Sequence, residues 1–524
     1  MLIKDSRLEG EAPEWPQPPP SEPRRLVALF LGLFLLFASI SPLYFRSMGY
    51  MEEEFIAAKQ VISKAAGIFT GRETAIEWPR HGAMPVITHV PFVAAGRMLF
   101  GPSLEWQDRV FAMEPLVLSA GLLTLLFAWA RRLGASRTFA GVLTLAAGFA
   151  TVIWPYAYFG MEPPQSFFLL LAAYVAIAHR RPSWGAVLLL GVATGFAGSV
   201  KSTGVFLLPA LAYANWVFFR DSIRENLRAV LPKIFVAGLV AAGIIALSAY
   251  SRSLFWIPRG GTSPYLNLWL GRDPITWLIN VTGFLTSPNK GLFAFVPLAL
   301  FAAAQIPSLI RKRSDVAAFA LLVTAGVASG YPLFLVWSDE TFGPRYFHCA
   351  MAPLILCIAE AYRGRERKAF RHPGLIAAVF AGFLVAGLGA LFSYGHMQTV
   401  ATQAGQATLQ NFQSNPVWNH ARFNARLLAV WLSRGEVLWT PEEKWIGDPP
   451  SWVPGPVALN LTTIRNVNQQ RVAVPQAFLI STWGDEDGPS GVLLRSILIA
   501  AVPLGIFLLF YALRPARVSS VEAP

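Results

Sequence analysis

The stretch Leu26-Val-Ala-Leu-Phe-Leu-Gly-Leu-Phe-Leu-Leu-Phe-Ala-Ser-Ile-Ser-Pro-Leu-Tyr44 decides the fold. It carries no charge and is long enough to cross a hydrocarbon core of roughly 30 Å as a helix. Upstream, residues 1–25 are polar and proline-rich (Pro13, Pro16, Pro18 to Pro20) and close on Arg24-Arg25, with no clear cleavage site. They read as a disordered cytoplasmic tail before an uncleaved first helix. Downstream, a long polar loop opens with Glu52-Glu53-Glu54. Carboxylates so near the membrane edge are costly unless they face water, a partner or a substrate.

Composition extends this reading to the whole chain. Of its 524 residues 54% are hydrophobic and 14% charged, where a soluble protein carries about 25% charged residues. The class is a polytopic membrane protein. The net charge of +13 sits in short loops between apolar runs, a pattern that fits the positive-inside rule and anionic lipid, not nucleic acid. The two cysteines, Cys349 and Cys357, lie eight positions apart on one apolar segment. They rise along a helix without meeting, so no disulfide is expected.

Apolar runs predict about twelve spans: 26–44, 114–131, 138–155, 164–180, 183–199, 204–219, 234–250, 290–310, 316–336, 348–362, 374–394 and 493–513. Alternate loops are basic: Arg131-Arg132 with Arg137, Arg180-Arg181, Arg220 to Lys233, Arg311-Lys312-Arg313 and Arg363 to Arg371, with Arg514 and Arg517 after the last helix. That alternation puts both termini inside. The outer side takes the long segments. Loop 46–113 has apolar residues at helical spacing (Phe55, Ala58, Ile62, Ala66) and again from Val86 to Leu99, which predicts two helices lying on the membrane surface. Residues 395–491 are Trp-rich, with strand-like runs at 457–461, 471–474 and 477–480, and predict a small mixed α/β extracytoplasmic domain. The expected order is tail 1–25, transmembrane domain 26–394, outer domain 395–491, and a last helix with tail at 492–524.

Several clusters can carry chemistry. Successive carboxylates on a helix point about 100° apart, so at most two of Glu52, Glu53 and Glu54 face one cavity; the alternative is ordinary charge in a first helical turn. In Trp337 to His348, Gly343-Pro344 imposes a turn and Arg345-Tyr346 follows it. Arg345 there either offers its fork to a phosphate or pairs with Asp339 or Glu340. Lys290, in Ser287-Pro-Asn-Lys-Gly-Leu-Phe293, and Lys201, in Gly198-Ser-Val-Lys-Ser-Thr-Gly204, can each meet an anion or snorkel to the interface. Glu162 has the same two readings at another helix mouth. His81 can help bind a substrate or metal, but its spacing to His89 makes no zinc motif. The sequence has no nucleotide-binding glycine fingerprint.

The transmembrane region, 26–394, resembles the GT-C superfamily of glycosyltransferases that use polyprenyl-phosphate sugars. That group includes the protein O-mannosyltransferases, aminoarabinose transferases and arabinofuranosyltransferases. The resemblance rests on Glu52-Glu53 within Met51-Glu-Glu-Glu-Phe-Ile56, on His81-Gly-Ala-Met-Pro-Val-Ile-Thr-His-Val-Pro91, on Ser287 to Phe293 and on Phe342-Gly-Pro-Arg-Tyr346. One departure is that the family usually has Asp-Asp or Asp-Glu where this chain has glutamates, which leaves the register of the base open among Glu52, Glu53 and Glu54.

The resemblance implies transfer of a sugar from a polyprenyl-phosphate donor to a lipid, glycan or protein acceptor, on the periplasmic face of a bacterial inner membrane. A glutamate acts as base, with Glu52 and Glu53 the aligned pair. Arg345, Lys290 and Lys201 stabilise the leaving phosphate, with His81, Tyr346, Glu162, Asp339 and Glu340 around the substrate. A divalent cation at the glutamates stays open. A secondary transporter and a non-catalytic envelope-polysaccharide assembly subunit are the alternatives. The first would show repeated halves and midplane polar sites; the second would leave the glutamates dispensable.

Overall fold

The computed structural model describes residues 22–40, 52–70, 76–101, 110–111, 113–157, 160–179, 182–256, 273–333, 342–391, 415–434 and 489–514. Among these the regular structure is helical, with no strand. The longer helices are α1 (Glu22–Ile40), α2 (Glu52–Thr70), α3 (Ala83–Phe100), α4 (Met113–Arg132), α5 (Arg137–Phe149), α6 (Glu162–Ala173) and α7 (Trp184–Ser199). They continue with α8 (Leu208–Trp256), α9 (Pro274–Thr286), α10 (Asp315–Gly330), α11 (His348–Ala361), α12 (Pro373–Leu391), α13 (His420–Arg434) and α14 (Pro489–Leu513). Five helical stretches among the described residues are long and apolar enough to cross a membrane: Ala83–Phe100, Met113–Arg132, Ser202–Phe255, Asp315–Leu333 and Pro373–Leu391. The chain is a helical membrane protein.

Local chemistry fixes where several helices begin. Three basic loops end in a serine: Ser136, Ser183 and Ser314 accept the backbone N–H of Phe139, Ala186 and Ala317 and so cap α5, α7 and α10. Each cap is worth about 1 kcal/mol. At the centre lies α11, in which every residue from His348 to Ala359 is buried. A helix apolar on all sides needs neighbours on all sides, and α4, α5, α6 and α10 supply them.

One end of the bundle collects the basic loops. Glu22 pairs with Arg137 and lies 3.9 Å from Arg131. Arg25 and Arg137 both donate to the Arg514 carbonyl, at 2.7 and 3.3 Å. The Ser136 N–H donates to Glu366 at 2.7 Å, and the Ser314 hydroxyl to Glu360 at 2.5 Å. Antiparallel packing of α1 against α14 brings the start of the first and the finish of the last to this end. Their backbones approach so closely that a Cβ on Gly32 would sit 3.0 Å from the Gly505 carbonyl oxygen. Loops that the sequence assigns to one side are therefore neighbours in space.

The structure departs from the sequence pattern in three places. Residues 220–233, expected as a loop, continue α8 as helix; only Asn226 (φ −156°, ψ 87°) breaks it. Its side chain accepts the Ala229 N–H at 3.1 Å, so this break is itself a cap that restarts the helix. The expected span 290–310 is cut into Leu292–Phe295, Pro297–Ala303 and Ile306–Arg311, with a proline in the first turn of the second and third pieces. Finally, α3, expected on the membrane surface, is long and apolar enough to cross. In the outer domain only 415–434 is described, and it holds helix α13; the strand-like runs lie outside the described residues.

The buried Glu22–Arg137 contact predicts that Glu22→Ala destabilises the protein by about 3 kcal/mol, because it strands a buried guanidinium. Thermal unfolding in detergent measures this. An unchanged midpoint would mean that the pair is solvated and worth little.

Candidate active site

At the opposite end of the bundle, α2 opens with its three glutamates, and their directions separate as helix geometry requires. Glu53 is half-buried, and its Oε2 accepts the Arg80 N–H at 3.2 Å. Glu54 points inward and is fully buried, with Oε1 3.0 Å from Nδ1 of His81. Its Oε2 has no hydrogen-bond partner among the described residues. Glu52 is the first residue of α2; its side chain lies outside what is described. The inward register follows from the apolar residues after it: Phe55, Ala57 and Ala58 pack on Val86, Val93 and Phe111.

His81 is placed by backbone as much as by its own side chain. Gly82 has φ +82°, and a Cβ there would sit 2.8 Å from the Ser248 carbonyl oxygen, so only glycine lets the loop press against α8. The Ser251 hydroxyl accepts the Ala83 N–H at 2.8 Å, and Arg252 donates to the His81 carbonyl at 2.9 Å. Burial lowers the imidazole pKa, against the opposing pull of the Glu54 hydrogen bond and charge. The ring is therefore neutral at pH 7. When Glu54 is ionised its carboxylate only accepts, and Nδ1 then carries the proton donated to it.

Beside this pair lies a second, ionic group. Lys201 Nζ is 2.5 Å from Glu162 Oε1, and Arg345 Nε is 3.8 Å from the same oxygen. All three side chains are buried. Arg345 also donates to the Tyr346 hydroxyl at 2.9 Å, and both cations lie 4.8 Å from the Tyr346 ring centre. Tyr331 stacks on that ring at 4.0 Å and bonds Thr203 through its hydroxyl at 2.5 Å. Gly160 (φ +82°) makes room for the Glu162 carboxylate, which a Cβ there would strike. The turn before Arg345 is held by Gly343 (φ +57°) and by the Tyr156 hydroxyl, which donates to the Phe342 carbonyl at 2.6 Å. Ala83 and Met84 pack against Met161 and Val200, so the loop of His81 touches the residues beside Glu162 and Lys201.

The fold thus brings together Glu54, His81, Glu162, Lys201, Arg345 and Tyr346 from five separate parts of the chain. Chemically it joins a carboxylate–imidazole pair, able to take a proton, to a group in which two cations face one carboxylate. The surplus positive charge suits an anion. Lys290 is buried, and its turn is covered by residues 415–419, through Asn289 donating to the Asn415 carbonyl at 2.7 Å and Asn419 to the Pro288 carbonyl at 2.6 Å. Asp339 and Glu340 lie outside the described residues.

Among the described residues no three His, Cys, Asp or Glu side chains gather as metal ligands would. Sequence reasoning missed Ser251 and Arg252, which position His81, and the contact of Ser166 with His348. Arg252 follows an apolar run and looks like any interfacial arginine.

In comparisons with protein-family models, with curated proteins and with solved structures, nothing matches this chain.

Removing one partner of a buried ion group costs more than removing both. Glu162→Gln leaves two buried cations facing each other and should lower stability by about 3 kcal/mol. Lys201→Met leaves the Glu162–Arg345 pair and should cost less, and the double variant, with one cation fewer, recovers part of the Glu162→Gln loss. Unfolding midpoints of the four proteins in detergent measure the coupling. Additive losses would show that the two side chains act independently.

Proposed function

We propose that this protein is an integral-membrane glycosyltransferase that moves a sugar from a polyprenyl-phosphate donor to a cell-envelope acceptor. The observation that carries the reading is the adjacency, at the end of the bundle away from the basic loops, of a proton-accepting pair (Glu54–His81) and a phosphate-suited cation group (Lys201 and Arg345 on Glu162). With the sequence resemblance to GT-C enzymes, that end faces the periplasm, the basic end the cytoplasm, and the remaining apolar segments complete about twelve spans.

In this scheme Glu54 is the base. It removes or orients the proton of the acceptor hydroxyl as that oxygen attacks the anomeric carbon. His81 holds the carboxylate and its protonation. Glu53, engaged with the Arg80 backbone, supports the loop. The C–O bond to phosphate breaks, and the lipid phosphate leaves with one more negative charge than it had as a diester. Lys201 and Arg345, already fixed in place by Glu162, meet that charge without reorganising. Tyr346 works as a platform: Tyr331 stacks on it and both cations lie over it, so it orders the cations and does not stack on sugar.

Transfer from radiolabelled polyprenyl-phosphate sugars to membrane-extracted acceptors tests the reading. Glu54→Gln should lower the rate by about a hundredfold or more, with an unchanged size-exclusion profile, while Glu53→Gln keeps most of it. Full activity in Glu54→Gln removes it as the base. No transfer by the wild type with any donor overturns the enzyme reading and favours flux assays for a transporter.

A further inference from the structure

His348 lies immediately below the ionic group, as the first residue of α11, three positions after Arg345. Its Nδ1 is 2.6 Å from the Ser166 hydroxyl, and Ser166 lies one turn after Glu162 on α6. Two rungs therefore join the same two segments: Glu162 to Arg345, and Ser166 to His348. The imidazole is 1% exposed, and its Nε2 has no hydrogen-bond partner among the described residues. It lies within electrostatic reach of both Glu162 and Lys201.

A serine beside a histidine suggests a hydrolytic nucleophile, but that chemistry needs a third group to orient the imidazole through its other nitrogen. Here Nε2 meets none among the described residues. The hydrogen bond to Ser166 decides what Nε2 can do instead. A buried hydroxyl with one partner uses its proton, because a stranded O–H costs more than an idle lone pair. Ser166 then donates to Nδ1, which leaves the ring proton on Nε2. If the ring is charged, Nε2 carries a proton all the same. In both states a buried N–H is left within reach of Lys201 and Glu162, and such a donor is costly unless something accepts from it.

We propose that His348 Nε2–H donates a hydrogen bond to a phosphate oxygen of the lipid-linked substrate, as a third donor beside Lys201 and Arg345. This rests on the glycosyltransferase reading above and adds to it a ligand-binding residue.

Two near-isosteres separate binding from scaffolding. Asparagine keeps an acceptor where Nδ1 was and loses the distal N–H; glutamine restores an N–H near the place of Nε2. Binding of a polyprenyl phosphate and of the matching polyprenol is measured by titration with the full-length protein in detergent, alongside thermal midpoints. The proposal expects His348→Asn to bind the phosphate about tenfold or more weakly, with its midpoint kept. His348→Gln should bind close to wild type, and polyprenol binding should be the same in all three proteins. Normal binding in His348→Asn, loss in both variants, or equal loss for the polyprenol overturns it. Wild type that neither binds the phosphate nor transfers sugar overturns the glycosyltransferase reading itself, and this inference with it.

Discussion

Glu162 sits between Lys201 and Arg345 almost out of contact with water, and two cations can stay in such a place only while a carboxylate offsets them. Everything at this end of the bundle serves that requirement. The carboxylate comes from the start of α6, the ammonium from the turn after α7, and the guanidinium from the turn before α11. Displacing the carboxylate leaves the two cations facing each other. Glycine at 160 and 343 supplies the backbone conformations that let these turns close. The Tyr156 hydroxyl fixes the carbonyl of Phe342, three residues ahead of the arginine. The stack of Tyr331 on Tyr346 beneath the cations adds contact area and a favourable ring face.

The two halves of the candidate site solve different problems. Lys201 and Arg345 are permanent charges held by a counter-charge, so the anion they suit meets a prearranged field. Glu54 and His81 form a pair in which a proton can arrive and leave, and their burial makes that proton's position matter. The halves meet through apolar packing of Ala83 and Met84 on Met161 and Val200, not through a direct ion pair. That separation allows the carboxylate of Glu54 to keep one oxygen uncommitted beside a cationic group. A direct salt bridge to Lys201 would have occupied it.

Much of the bundle was legible because its signals are local. Apolar runs and basic loops act within a few residues, and they locate helices and the end they share; the serine caps at 136, 183 and 314 emerge with the structure. The continuation of α8 through 220–233 was not, because charge alone suggested a loop. Arg220, Arg224 and Arg228 favour helix as much as they favour water, and the Asn226 cap restarts the helix inside the same segment. Of the site, the residue types were legible and their grouping only in part. Glu162 and Lys201 each looked like an interfacial charge with an equally good ordinary explanation, and Arg345 like a phosphate ligand with no partner assigned among them. What joins them is tertiary packing across 183 positions of sequence between Glu162 and Arg345, and no window of residues contains that. Arg252 and His348 were missed for the same reason: one acts through backbone carbonyls, the other through a serine one helix away.

A glutamate at position 54 has a geometric reason here. Gly82 presses the His81 loop onto α8, which sets the imidazole back from the start of α2 by an amount that packing, not the acid, determines. A carboxylate leaving the first turn of α2 must therefore cover that gap. The extra methylene of glutamate adds about 1.5 Å of reach, and Glu54 spends it in meeting Nδ1 at 3.0 Å. An aspartate at 54 would have to draw the helix inward against Phe55, Ala57 and Ala58, which already pack on Val86 and Val93. Close-packed cores resist such shifts. The acid's length, the loop glycine and the α2–α3 contact are thus one arrangement, and changing any one of them alone misplaces the carboxylate.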